Sequence, residues 1–140
     1  MQRVGVGRFA KVRKWCAFAR VELLLHDLSA DTPTTTFTCS GEGWVRQGDI
    51  ETVSASGYAD WKRGAAAGIQ FAFRLAGEAP RSVTVTKIEG MTTDTSPAAV
   101  GAAAALASFN ALAIPVPFSF QSLVEKVVFT SAGIDAEFSL

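Results

Sequence analysis

Histidine and cysteine are almost missing from this chain. His26 is the only histidine in 140 residues, and Cys16 and Cys39 are the only cysteines. No Cys-x-x-Cys pair occurs, and one imidazole cannot complete a zinc constellation, so neither a metal site, a disulfide framework nor a resident cofactor is expected. A surplus of charge is missing too. Thirteen Lys and Arg balance thirteen Asp and Glu, which speaks against a nucleic-acid binder, because such a protein needs a basic footprint. Nor is there a clean hydrophobic leader. The basic start runs into Arg20 and Glu22 where a signal peptide needs its apolar stretch. The uncharged run Thr95–Val124 fails as a membrane span: it is mostly alanine and holds Ser108, Asn110, Pro115 and Pro117. It reads instead as a buried, close-packed helix followed by an extended segment. A soluble, cytoplasmic protein is expected, with no membrane or nucleic-acid partner.

What the chain does have is apolar content. Hydrophobic residues make up 49% of the sequence, far too many for a disordered chain. A chain of this length buries about two-thirds of the surface its unfolded form exposes, so it needs no staple to fold. One domain over residues 1–140 is expected, with residues 1–16 forming a basic N-terminal arm or strand.

Hydrophobic spacing organises the domain. In Phe18–Leu25, Ala19, Val21, Leu23 and Leu25 share one face, opposite Arg20 and Glu22, as in a half-buried strand. Asp31-Thr-Pro33 is a turn signal, and Thr34–Val45 has the β-branched content of a second strand, with Phe37 and Cys39 on its apolar side. Ile50–Ser54 reads as a short third strand. From Tyr58 to Ala76 the period becomes helical: Trp61, Ala65, Gly68, Ala72 and Leu75 form one stripe, with Gly77 suited to the C-cap. Arg81–Gly90 is a strand with Val83 and Val85 inward. Ser96-Pro97 then starts a second helix, Pro97–Leu112, with Ser96 as N-cap. Leu123–Thr130 and Ile134–Phe138 read as two closing strands. The helices look alike at an offset of 37 residues, Gly64-Ala-Ala-Ala matching Gly101-Ala-Ala-Ala. Small residues allow close approach, so the two are expected to pack together on one face of a mixed or antiparallel sheet, an α+β fold.

The order β-β-(β)-α-β-α with terminal strands resembles the ribosomal protein S5 domain 2-like superfold. Within it, Arg20-Val21-Glu22-Leu23-Leu24-Leu25 and Pro97-Ala98-Ala99-Val100 are similar to the first strand and last helix of the formaldehyde-activating-enzyme family. The resemblance implies two helices on one sheet face. It does not carry the family's pterin-dependent activity, because Arg20 stands where the family has its histidine. A rival arrangement is the chorismate-mutase-like fold of the RidA-type deaminases, which Gly41 and Gly48-Asp49-Ile50-Glu51 resemble; the arginine of that family has no equivalent here. Fold analogy alone says little about function.

Candidate chemistry is sparse. Gly5-Val-Gly7-Arg-Phe-Ala10 matches G-x-G-x-x-A but has no strand before it, so a glycine-containing strand or arm is the better reading. His26, beside Asp27, has the residue types of a general base and its orienting acid, although strand alternation puts it on a polar, solvated face. No G-x-S-x-G elbow is present to supply a serine nucleophile. The loop before the second helix, with Thr93, Asp94, Thr95 and Ser96, has the free amides and hydroxyls of an anion site, or of simple helix capping. Gly41-Glu42-Gly43-Trp44 and Tyr58-Ala-Asp60-Trp61 supply carboxylates and aromatic rings, the materials of a small-molecule pocket or of a subunit interface. The acid–base candidates are therefore His26, Glu42 and Asp94, and the ligand-binding candidates Trp44, Tyr58, Trp61, Thr93, Thr95 and Ser96. Two functions follow. The first is a self-associating binding or structural protein, a homo-oligomer with an uncharged helix or Trp-bearing surface between subunits. The alternative is a small-molecule enzyme with its pocket near residues 91–96.

Overall fold

Alternation and glycine placement, rather than length, decide how the strands stack. The computed structural model describes residues 2–12, 16–29, 32–79 and 81–129. In chain order they form β1 (Gln2–Val12), β2 (Cys16–Ser29), β3 (Thr35–Phe37), β4 (Glu51–Thr52), α1 (Ala59–Ala76), β5 (Arg81–Gly90), α2 (Pro97–Leu112) and α3 (Phe118–Val128). The basic N-terminal segment is thus an edge strand over Gln2–Val12. The sheet runs β1-β2-β5-β3, with β4 also on β5; β1, β2 and β4 pair antiparallel and β3 pairs parallel. The fold is α+β around a mixed five-stranded sheet.

One sheet face is apolar and the other is wet. Gly5, Gly7 and Phe9 of β1, Ala17 to Leu25 of β2 in alternation, and Val83, Val85 and Ile88 of β5 point into the core. Between Glu22 and Leu23 the pairing of β2 with β5 slips by one residue. This bulge reverses the phase of β5, so Ile88 and Gly90 turn inward while Lys87 and Glu89 join the open face. There Arg20 bridges Glu22 and Glu89, both at 2.9 Å.

The helix α2 lies at the centre of the molecule. All of its residues except Leu106 and Asn110 are buried. Below it, the α-hydrogens of Gly5 and Gly7 face its backbone: a Cβ on Gly7 would stand 2.1 Å from the Ala103 carbonyl oxygen. Beside it, Gly64 and Gly68 of α1 meet Pro97 and Gly101, and a Cβ on Gly68 would stand 2.0 Å from the Gly101 oxygen. The alanine-rich helices therefore do pack together on one sheet face. Ser96 caps α2 as its sequence predicts, accepting from the Ala99 amide at 3.1 Å, and Gly77 ends α1 in the left-handed region.

Three expectations need correction. Leu123–Val128 is helical rather than extended. The β-branched content suggests a strand, but Phe120, Val124 and Val128 recur every four residues, and α3 buries that stripe, with Phe120 set edge-on to Phe109 at 5.3 Å. The Thr34–Val45 strand shrinks to Thr35–Phe37, because β4 takes the next stretch of β5. The uncharged α2 is also covered within its own chain by the sheet, α1 and α3, so its burial does not call for a second subunit. The closing strand expected at Ile134–Phe138 lies outside the described residues.

Candidate functional site

The charged residue that burial singles out among the described residues is one that spacing does not. Glu51 sits in the two-residue strand β4 opposite Gly90 and is only 4% exposed. A buried carboxylate requires hydrogen-bond partners. Its Oε2 accepts from the Tyr58 hydroxyl at 2.5 Å, and its Oε1 accepts from the Thr92 hydroxyl. Three segments are thereby tied together: β4, the start of α1, and the turn after β5. Burial comes first, and the Glu51 carboxylate second, in pushing the Tyr58 phenol up to about 12. Tyr58 itself has φ 58°, in the left-handed region that a bulky side chain rarely adopts, directly after Gly57 at φ 82°. Trp61 follows one turn later, its ring tilted at 45° and 5.0 Å from that of Tyr58. A Cβ on Gly90 would press within 2.9 Å of the Trp61 ring and 2.6 Å of Thr95 Oγ1.

The turn over residues 91–96 uses most of its polar groups on itself. Thr95 Oγ1 donates to the Phe18 carbonyl at 2.6 Å and accepts from the Met91 amide at 2.7 Å. The Phe18 amide in turn donates to the Asp94 carbonyl at 2.9 Å, and Thr93 Oγ1 donates to Asp94 Oδ1 at 3.2 Å. With Ser96 on the Ala99 amide, Thr93, Thr95 and Ser96 act here in capping and turn closure. What they accomplish is to pin α2 to the start of β2.

Two of the acid–base candidates, His26 and Asp94, lie at opposite ends of β2, since the Phe18 amide holds the Asp94 carbonyl. His26 is at the other end of β2, eight residues from Phe18, which is about 26 Å along an extended strand. It stands on the open sheet face, with Gln2 Nε2 donating to Nδ1 at 3.2 Å and Nε2 3.0 Å from Thr84 Oγ1. Glu42 is exposed beside a groove of about 460 Å³ that Thr52, Thr86 and Lys87 also line. Neither His26 nor Asp94 borders that groove. Tyr58 and Trp61 do share one cluster with the 91–96 turn. Trp44 contributes its backbone to the Tyr58 hydroxyl, while its ring is 59% exposed. Cys39 is buried, and burial raises its thiol above the ordinary value, so it is an inert core residue; Cys16 is exposed.

Among the described residues no three His, Cys, Asp or Glu side chains gather as a metal site, and no helix is long and apolar enough to cross a membrane. Comparison with known proteins returns no family model that matches the chain and no curated protein similar to it.

Proposed function

We propose that the protein is a self-associating binding domain whose contact surface is the loop between β3 and β4. One observation carries this reading. Trp44, Val45 and Ile50 are 59%, 57% and 52% exposed on a single short loop. Val45 and Ile50 line one groove, Trp44 adjoins Val45 in the chain, and tryptophan is enriched at interface centres. The loop is braced rather than loose: Arg46 Nε donates to Asp49 Oδ2 at 2.7 Å, and the Gly43 amide donates to the Thr52 carbonyl at 2.8 Å. A net charge of zero sets no long-range repulsion against association of identical chains. The alternative, a small-molecule enzyme, draws less support, since neither His26 nor Asp94 joins Glu42 at the groove that Thr52, Thr86 and Lys87 line. Light scattering tests the proposal. The expected mass is a multiple of 14.8 kDa that persists on dilution; a monomer at every concentration overturns it.

A further inference from the structure

A second groove lies away from that loop, between β3 and α1. It has a volume of about 590 Å³, an apolar floor of Ile69 and Phe73, and Arg74, Arg81 and Glu78 on its walls. Its outer border is a sheet edge that no described strand covers. The Val83 amide donates to the Thr34 carbonyl and the Thr38 amide to the Val85 carbonyl, both at 2.9 Å. In a parallel ladder this directs Thr34, Thr36 and Thr38 toward β5, and the N–H and C=O groups of Thr35 and Phe37 away from it. No strand among the described residues pairs with that side of β3. An open edge is a template for another extended chain. The charge next to it is positive in part: Arg81 is 3.6 Å from Glu78, whereas Arg74 makes no ion pair among the described residues.

We propose that this groove binds an extended peptide bearing carboxylates, which adds to β3 as a further strand. The peptide backbone pairs with Thr35 and Phe37, alternate apolar side chains enter over Ile69 and Phe73, and a carboxylate meets Arg74. Recognition of this kind takes affinity from main-chain hydrogen bonds and selectivity from side-chain pockets. The site is independent of the self-association surface.

Fluorescence anisotropy of the full chain with a fluorescein-labelled Val-Glu-Val-Asp-Val peptide tests this. Saturable binding is expected, weakened about tenfold or more in three ways: lysines in place of the acids, N-methylation of alternate peptide amides, and the Arg74→Glu variant. The peptide changes leave the protein untouched, so loss of fold cannot mimic them. Absence of saturation up to about 1 mM peptide overturns the proposal. So does equal binding of the lysine peptide, indifference to N-methylation, or unchanged affinity in Arg74→Glu. Acetyl-glutamate binding as tightly as the peptide also overturns it, since that describes a pocket for a small acid.

Discussion

Tyr58 joins an unusual backbone conformation to a buried carboxylate. It is the only tyrosine in the chain. It is held in a left-handed backbone conformation, and its hydroxyl reaches a carboxylate that is itself almost wholly buried. A phenol whose folded value lies above the usual value of about 10 stays neutral longer in the folded state. The stabilisation linked to this is therefore complete below pH about 10 and is lost as pH rises toward about 12. Absorbance titration near 295 nm should follow one group with a midpoint well above the ordinary phenol, returning to about 10 in denaturant. A native midpoint at the ordinary value would remove the Glu51–Tyr58 contact from the account. The sequence marks Tyr58 as a candidate through its aromatic neighbours, but it gives no sign of Glu51. That residue sits at one of the alternating positions of a short strand, and its partners, Tyr58 and Thr92, come from segments 7 and 41 residues away in the chain.

At the scale of elements, the small residues set how closely α2 can be approached. Glycine in a helix is unfavourable by about 1 kcal/mol relative to alanine, so Gly64 and Gly68 need a compensating reason in packing. They have one in the backbones of Pro97 and Gly101. Gly68→Ala gains helix propensity but drives a methyl group into a main-chain oxygen that cannot rotate away. We expect a net loss of about 1–3 kcal/mol, read as a lower urea midpoint with unchanged slope. The exposed Gln70→Ala, on the same helix, should stay within about 0.5 kcal/mol of wild type. Equal stability of both variants would show that the helices separate without cost. Much of this layer is legible in advance. The 37-residue offset places Gly64 with Gly101 by alignment, whereas in space Gly64 meets Pro97 and it is Gly68 that meets Gly101. The fourfold spacing in α3 is present in the sequence as well, but valine-rich content masks it until Phe109 and Phe71 supply the surface that Phe120 packs against.

For the whole molecule, the deciding fact is that the most apolar helix is already covered. The self-association proposed here would therefore have to use residues that folding leaves outside, such as Trp44, Val45 and Ile50. Trp44→Asp is expected to shift the assembly to a 14.8 kDa species while leaving the thermal midpoint of the dissociated chain within a few degrees of wild type, because the ring contributes little to the core. An unchanged mass would place the interface elsewhere. Period and punctuation in the sequence alone determined the α+β class, the two alanine-rich helices, the Ser96-Pro97 start and the inward faces of β2 and the first half of β5, since these are local properties of backbone and burial. Tertiary structure decided the rest: the bulge that turns Ile88 inward, the helical state of residues 118–128, the burial of Glu51 and the separation of His26 from Asp94. Each of these depends on contact between segments far apart in the chain, and no local pattern records which segments will meet.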